Sequence, residues 1–361
     1  MSDTRKAGPK ATKKAIIKAL KVKRPIFLWG PPGIGKSDLI KQIGEDGTND
    51  LVIDVRLSLW DPTDIKGVPF FDSEDQTMKW APPAELPGMA LAESYDRIIL
   101  FLDEMNSAAP STQSAAYQLV LNRKVGTYTL PDNVVIVAAG NREGDKGVTY
   151  RMPAPLKNRF IHVEMESKFD DWFEWATLNK IHKDIVGFLN WSKTDLYNFD
   201  ARSNSNAFAT PRSWSFVSEL LTENDCDAET LMLLMCGSVG EGTAIKFNAY
   251  QKLAGTLPNP TDILKGAVTK LDNKEISAMY SLTVGLCYEL KDSSDRKDAD
   301  FNDQVNRFFE FMMENFETEL VIMGTKIALA SYKLPLDVDE IKCFMEFHKK
   351  YGKYIAAATD N

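Results

Sequence analysis

From Arg24 to Met165 the chain alternates short apolar runs with segments of helical periodicity. The runs are Pro25–Trp29, Leu51–Val55, Ile98–Leu102, Val134–Ala138 and Ile161–Met165. Most are nearly continuous in Val, Ile, Leu and Phe, as strands buried on both faces must be. With helices between them, they predict an α/β domain on a five-stranded parallel sheet. Two further stretches read as β-hairpin insertions: Gly67–Trp80, turning at Asp72-Ser73-Glu74-Asp75, and Arg123–Leu130, turning near Gly126. After Phe169 helical spacing takes over, in Asp170–Asn179, Ser213–Leu221, Ala228–Cys236, Ile276–Leu290 and Val305–Asn315. Breaks fall at Asn198–Thr210, Leu257–Pro260 and the charged stretch Lys291–Asp303. The expected order is an N-terminal arm and helix over 1–24, an α/β domain over 25–168, an all-α domain over 169–260 and a helical C-terminal extension over 261–361.

Composition narrows the class. Hydrophobic residues make up 44% and charged residues 26%, the profile of a soluble globular protein. No apolar run approaches the ~20 residues that span a bilayer, and no apolar block follows the N-terminal charges. A cytoplasmic location without membrane contact is expected. The four cysteines form no C-x-x-C pair and the three histidines no H-x-x-x-H pattern, so no zinc site is expected. Charge is unevenly placed: residues 1–24 hold nine Lys or Arg against one Asp, a balance of +8, so that with a net charge of −8 the other 337 residues carry −16. Such an arm suits nucleic acid or an acidic partner. It also suits an amphipathic helix, Ala11–Leu20, with Ile16, Ile17 and Leu20 inward and lysines in water.

Chemistry enters directly after the first strand. Gly30-Pro31-Pro32-Gly33-Ile34-Gly35-Lys36-Ser37, followed by a helical run from Asp38, fits the pattern G-x-x-x-x-G-K-[ST] in its strand–loop–helix context. Glycines let backbone N–H groups converge on phosphate oxygens, and the helix N-terminus adds a favourable dipole. Lys36 is expected to reach the β- and γ-phosphates of a nucleotide, and Ser37 to coordinate Mg²⁺.

Hydrolysis needs a water activator. The run Ile98–Leu102 ends in Asp103 and Glu104, whose side chains diverge by strand alternation. Asp103 is suited to the Mg²⁺ shell and Glu104 to orienting and deprotonating water. The next strand runs into Ala139-Gly140-Asn141, which sets a polar amide beside Asp103.

These residues together resemble the AAA+ ATPases, and the finer pattern looks like the MoxR branch. It is carried by Asp61-Pro62-Thr63-Asp64-Ile65-Lys66-Gly67, Asp103-Glu104-Met105-Asn106, Ser111-Thr112-Gln113-Ser114, Leu156-Lys157-Asn158-Arg159-Phe160 and Thr210-Pro211-Arg212-Ser213. Gly237-Ser238-Val239-Gly240-Glu241-Gly242 looks like a lid segment of a MoxR subgroup found with partners bearing a von Willebrand factor A-like domain. The resemblance implies that Asn141 is a sensor and Arg159 an arginine finger for the neighbouring subunit's nucleotide. It also implies that Arg212 contacts the γ-phosphate from a helical lid, and that both hairpins face a ring's central channel. It further implies ATP, Mg²⁺ and a homo-oligomeric, hexameric ring. Where many MoxR proteins carry a Gln-Asn-Pro-like run, this chain has Asn141-Arg142-Glu143, which leaves the roles of Arg142 and Glu143 open.

Two functions compete. One is an ATP-driven, chaperone-like remodeller of a protein client. The other is a nucleic-acid motor or loader using the basic arm with Arg123 and Lys124. The Gly67–Trp80 hairpin carries Asp72, Glu74 and Asp75 against Lys79 alone, the wrong sign for tracking phosphates, and this favours the remodeller.

Overall fold

The computed structural model describes residues 5–142, 144–145, 149–223, 225–271, 275–336 and 340–359. Its central sheet contains β1 (Lys6–Ala7), β2 (Ile26–Trp29), β3 (Asp50–Arg56), β4 (Arg97–Asp103), β5 (Val134–Gly140) and β6 (Ile161–Met165). The order is β1-β6-β2-β5-β4-β3, all parallel. The five apolar runs supply β2 to β6. β5 is buried throughout and β4 everywhere except at Arg97, as continuous apolar strands covered on both faces should be.

The sixth strand corrects the expected five. Lys6 pairs with Glu164 and Ala7 with Met165 at the sheet edge. A two-residue strand has no periodicity to read, so only its distant partner defines it. Helix α1 (Pro9–Lys21) follows, with Pro9 at its first turn, where no N–H is required. It buries Thr12, Ile16, Ala19 and Leu20, while Ile17 is half-buried. Helix α2 (Lys36–Glu45) follows β2 through the glycine loop.

Both hairpins form. Val68–Asp72 pairs antiparallel with Thr77–Ala81, and Lys124–Val125 with Tyr128–Thr129. The first closes on the Asp72 carboxylate, which accepts from the Glu74 amide at 2.9 Å and pairs with Lys79 at 2.6 Å. Its neck needs Gly67. The φ there is +87°, and a Cβ would lie 1.8 Å from the Ala81 carbonyl oxygen. The two hairpins touch: the Thr127 hydroxyl donates to the Trp80 carbonyl at 2.6 Å, and a side chain at Gly126 would meet the Trp80 ring at 3.3 Å.

The chain divides between Asp171 and Trp172 into two compact units. Among its described residues the second unit is helical and contains no strand. Its core holds Phe188, Trp214, Phe247 and Tyr250, with ring centroids 5.3 Å apart for Phe188–Phe247 and 5.5 Å for Trp214–Phe247. The Thr-Pro-Arg-Ser run starts a helix (Pro211–Glu223) by reciprocal capping. The Ser213 amide donates to Thr210 Oγ1 at 3.1 Å and the Thr210 amide to Ser213 Oγ at 2.8 Å. The break expected at Lys291–Asp303 is shorter than its charge suggests. The helix Ile276–Arg296 runs on through it, braced by a Lys291–Asp295 ion pair one turn apart, and ends where Lys297 turns left-handed at φ 58°. No helix among the described residues is long and apolar enough to cross a membrane.

Candidate nucleotide site

The loop Gly30–Ser37 leaves the C-terminal end of β2 and wraps onto the start of α2. Gly33 and Gly35 have φ of +75° and +89°, which only glycine adopts freely. A Cβ at Gly30 would lie 2.8 Å from the Met165 carbonyl oxygen, so that approach also requires glycine. Pro31 and Ile34 are buried beneath the loop, whereas Pro32 and Gly33 are partly exposed and Asp38 is exposed in the first turn of α2. The backbone therefore keeps an open face at a helix N-terminus, a shape and polarity that suit phosphate.

Adjacent strands converge on this loop. Lys36 Nζ donates to the carbonyls of Gly30 at 2.7 Å and Pro31 at 3.0 Å, and to Asn141 Oδ1 at 3.1 Å. Ser37 Oγ donates to Asp103 Oδ2 at 2.7 Å, and the other Asp103 oxygen accepts the Glu104 amide at 2.8 Å. Lys36, Ser37, Asp103, Glu104 and Asn141 thus form one linked group where β2, β4 and β5 end. Glu104 follows β4 in a left-handed conformation, φ 53°, so the chain turns sharply at this acid.

The donors present suit a divalent cation. Ser37 and Asp103 offer adjacent hard oxygens, as Mg²⁺ prefers. Partial burial first, and the Asp103 carboxylate next, hold Asp54 above the usual carboxylate range, against Arg56 and Lys41.

Several participants have roles that the sequence does not assign. Ser58, in the short turn Leu57–Leu59 after β3, donates a short hydrogen bond to Glu104 Oε2. Asn106, 2% exposed, grips the Asn141 peptide from both sides. Its Nδ2 donates to the Asn141 carbonyl at 2.7 Å and its Oδ1 accepts the Asn141 amide at 3.2 Å. Arg142 is anchored by Asp145, with contacts of 2.9 to 3.2 Å, and by the buried Glu164 at 3.1 Å. That accounts for Arg142; Glu143 lies outside the described residues.

Of the other proposed site residues, Arg159 is not joined to this group. Arg159 is exposed in the turn before β6, and its guanidinium bonds to no described residue. Arg212 is exposed on the helix Pro211–Glu223 of the second unit. Arg123, a candidate nucleic-acid contact, instead spends its guanidinium on the carbonyls of Pro131 at 2.6 Å and Val134 at 2.9 Å.

Comparison with known proteins gives a family match over part of the chain and distant relatives. Residues 26–166 match the family AAA, described as the ATPase family associated with various cellular activities. Midasin of Giardia intestinalis is 26% identical over 199 residues, 52% of this chain, and this chain spans 4% of that protein's length. Two single-residue variants of RuvB from Thermotoga maritima are similar in structure. One is 18% identical with a TM-score of 0.38, covering 72% of this chain and 76% of its own. The other is 16% identical with a TM-score of 0.37, covering 85% and 87%.

Proposed function

We propose, from the match of residues 26–166 to the AAA ATPase family, that the protein hydrolyses ATP in a ring whose sites are completed by neighbouring copies. The observation that carries this reading is an asymmetry. Lys36, Ser37, Asp103, Glu104 and Asn141 meet at one end of the sheet, while Arg159 stands exposed without a bonding partner among the described residues. In the proposed reaction a water oxygen attacks the γ-phosphorus, its proton passes to Glu104, and the bond to the ADP oxygen breaks. Lys36 exchanges its loop carbonyls for phosphate oxygens, and Asn141, adjacent to it, orients the γ-phosphate or the water. Ser37 and Asp103 would hold Mg²⁺, which would supply charge neutralisation on the phosphates. Arg159 reaches the neighbour's nucleotide, and Arg212 the γ-phosphate from a lid spanning 169–260.

The finer reading is a MoxR-like, chaperone-like remodeller acting as a hexamer on a protein client or a partner with a von Willebrand factor A-like domain. The first hairpin supports a protein client. Val68, Phe70, Phe71 and Met78 are exposed on it, and its one cation, Lys79, is paired with Asp72 and Asp75. Engagement of Arg123 by carbonyls weakens the competing nucleic-acid reading.

The test is turnover by wild type and Glu104→Gln, with and without DNA. Glu104→Gln is expected to bind ATP and to lose about 10²–10⁴ in rate, and a pull-down with it should retain the client. Strong stimulation of the wild type by DNA would overturn the protein-client reading.

A further inference from the structure

We infer that His162 is a positioning residue for Arg159, tying the turn that carries this arginine to the strand that leads into the glycine loop. β6 lies beside β2 with His162 opposite Phe27 and Glu164 opposite Trp29. The Trp29 indole N–H donates to His162 Nδ1 at 2.9 Å, across 133 residues of sequence. An indole nitrogen only donates, so Nδ1 carries no proton and the imidazole proton sits on Nε2. Nε2 lies 2.8 Å from the Lys157 carbonyl and donates to it.

That carbonyl opens the turn in question. It also accepts the Phe160 amide at 3.2 Å, which makes Asn158 and Arg159 the two central residues of a four-residue turn. Both acceptor positions of the Lys157 carbonyl are therefore engaged, one by the turn itself and one by His162. At the far end Phe160 is buried, edge-on to Phe27 at 5.4 Å. Arg159 thus projects from a backbone clamped at both sides, although its own side chain bonds to nothing described. The other end of the tie reaches the nucleotide loop. Trp29 packs against Phe27, with ring centroids 4.3 Å apart and planes tilted by 33°, and precedes Gly30, whose carbonyl holds Lys36. An apolar residue at 162 would fill the same space, but it would leave the indole N–H and the Lys157 carbonyl without these partners.

The inference rests on the shared-site reading, in which Arg159 serves a neighbouring copy. A subunit lacking His162 then keeps a competent loop and offers a misplaced arginine. Asparagine can imitate only Nδ1 and glutamine only Nε2 of the imidazole, which separates the two bonds. The experiment uses the full chain as Arg159→Ala, Lys36→Ala, His162→Asn and His162→Gln. Turnover is measured alone and in equal mixtures with Lys36→Ala, together with affinity for a fluorescent ADP analogue. His162→Asn is expected to bind the analogue as wild type does and to turn over about 10²-fold slower, the loss typical of a misplaced catalytic group. Mixing it with Lys36→Ala, whose Arg159 and His162 are intact, should restore activity as it does for Arg159→Ala. His162→Gln, which keeps the donor to Lys157, should stay within about threefold of wild type. If the Arg159→Ala mixture recovers and the His162→Asn mixture does not, or if Asn and Gln behave alike, the positioning role is overturned. If the Arg159→Ala mixture is inert, the shared-site reading fails and this inference fails with it. A His162→Asn chain that loses affinity for the analogue also overturns it, because the residue then supports the loop generally.

Discussion

Glu104 and Asn141 are each held by a neighbour whose importance is local and testable. The Ser58 hydroxyl donates to Glu104 Oε2 and so fixes how the carboxylate is turned, leaving Oε1 for the proton of the proposed reaction. Hydrogen bonds to charged groups are worth ~1.5–3 kcal/mol. Ser58→Ala is therefore expected to lower turnover per site by about tenfold without changing nucleotide affinity. A rise in turnover would mean that Ser58 restrains the base rather than orienting it. Asn106 works on structure instead. Asn106→Ala removes both bonds to the Asn141 peptide in a buried place. It should cost about 2–3 kcal/mol in denaturant unfolding of the first unit, and lower turnover because Asn141 loses its support.

At the scale of elements, the first hairpin depends on one backbone conformation. Gly67 adopts φ +87° with the Ala81 carbonyl packed where a Cβ would lie. Gly67→Ala should open the hairpin neck, seen as faster proteolysis within residues 68–81, while binding of a nucleotide analogue is preserved. Loss of binding would show that hairpin and glycine loop fold as one piece. In the second unit, the helix Lys183–Trp191 starts at His182, whose Nδ1 accepts the Asp184 amide at 3.3 Å. Burial, the largest cause, holds the imidazole below its ordinary value; Asp184 opposes this and Lys183 reinforces it. The unfolded chain therefore takes up a proton more readily than the folded one. Stability is fully present above about pH 6.5 and is lost as pH falls below it. His182→Asn keeps a good helix cap and should flatten the dependence of melting temperature on pH between about 5 and 7.

For the whole molecule, the proposed completion of each site by a neighbour would make activity a property of the assembly. ATP turnover per chain should rise with protein concentration, in step with the size of the assembly measured by sedimentation. Arg159→Ala should remain low at every concentration. Turnover that is independent of dilution would assign each chain a complete site of its own.

What the sequence by itself determined is what lies in contiguous residues. Strand, glycine loop and helix follow one another from Ile26 to Glu45, so periodicity and glycine spacing read them directly. The acids at the end of β4 were legible for the same reason, because a buried run that stops in Asp103-Glu104 has few structural explanations. The helical second unit was legible from its spacing, although the charges at Lys291–Asp303 suggested an earlier break than the Lys291–Asp295 brace allows. Tertiary structure alone decided the rest. Ser58 meets Glu104 across 46 residues, Asn106 meets Asn141 across 35, and Trp29 meets His162 across 133. β1 exists only because β6 offers it an edge. A single serine, asparagine or histidine leaves no periodic trace, because its hydrogen bonds depend on which strands lie side by side. That order is set by burial of whole strands in the sheet, not by the residues that later use it.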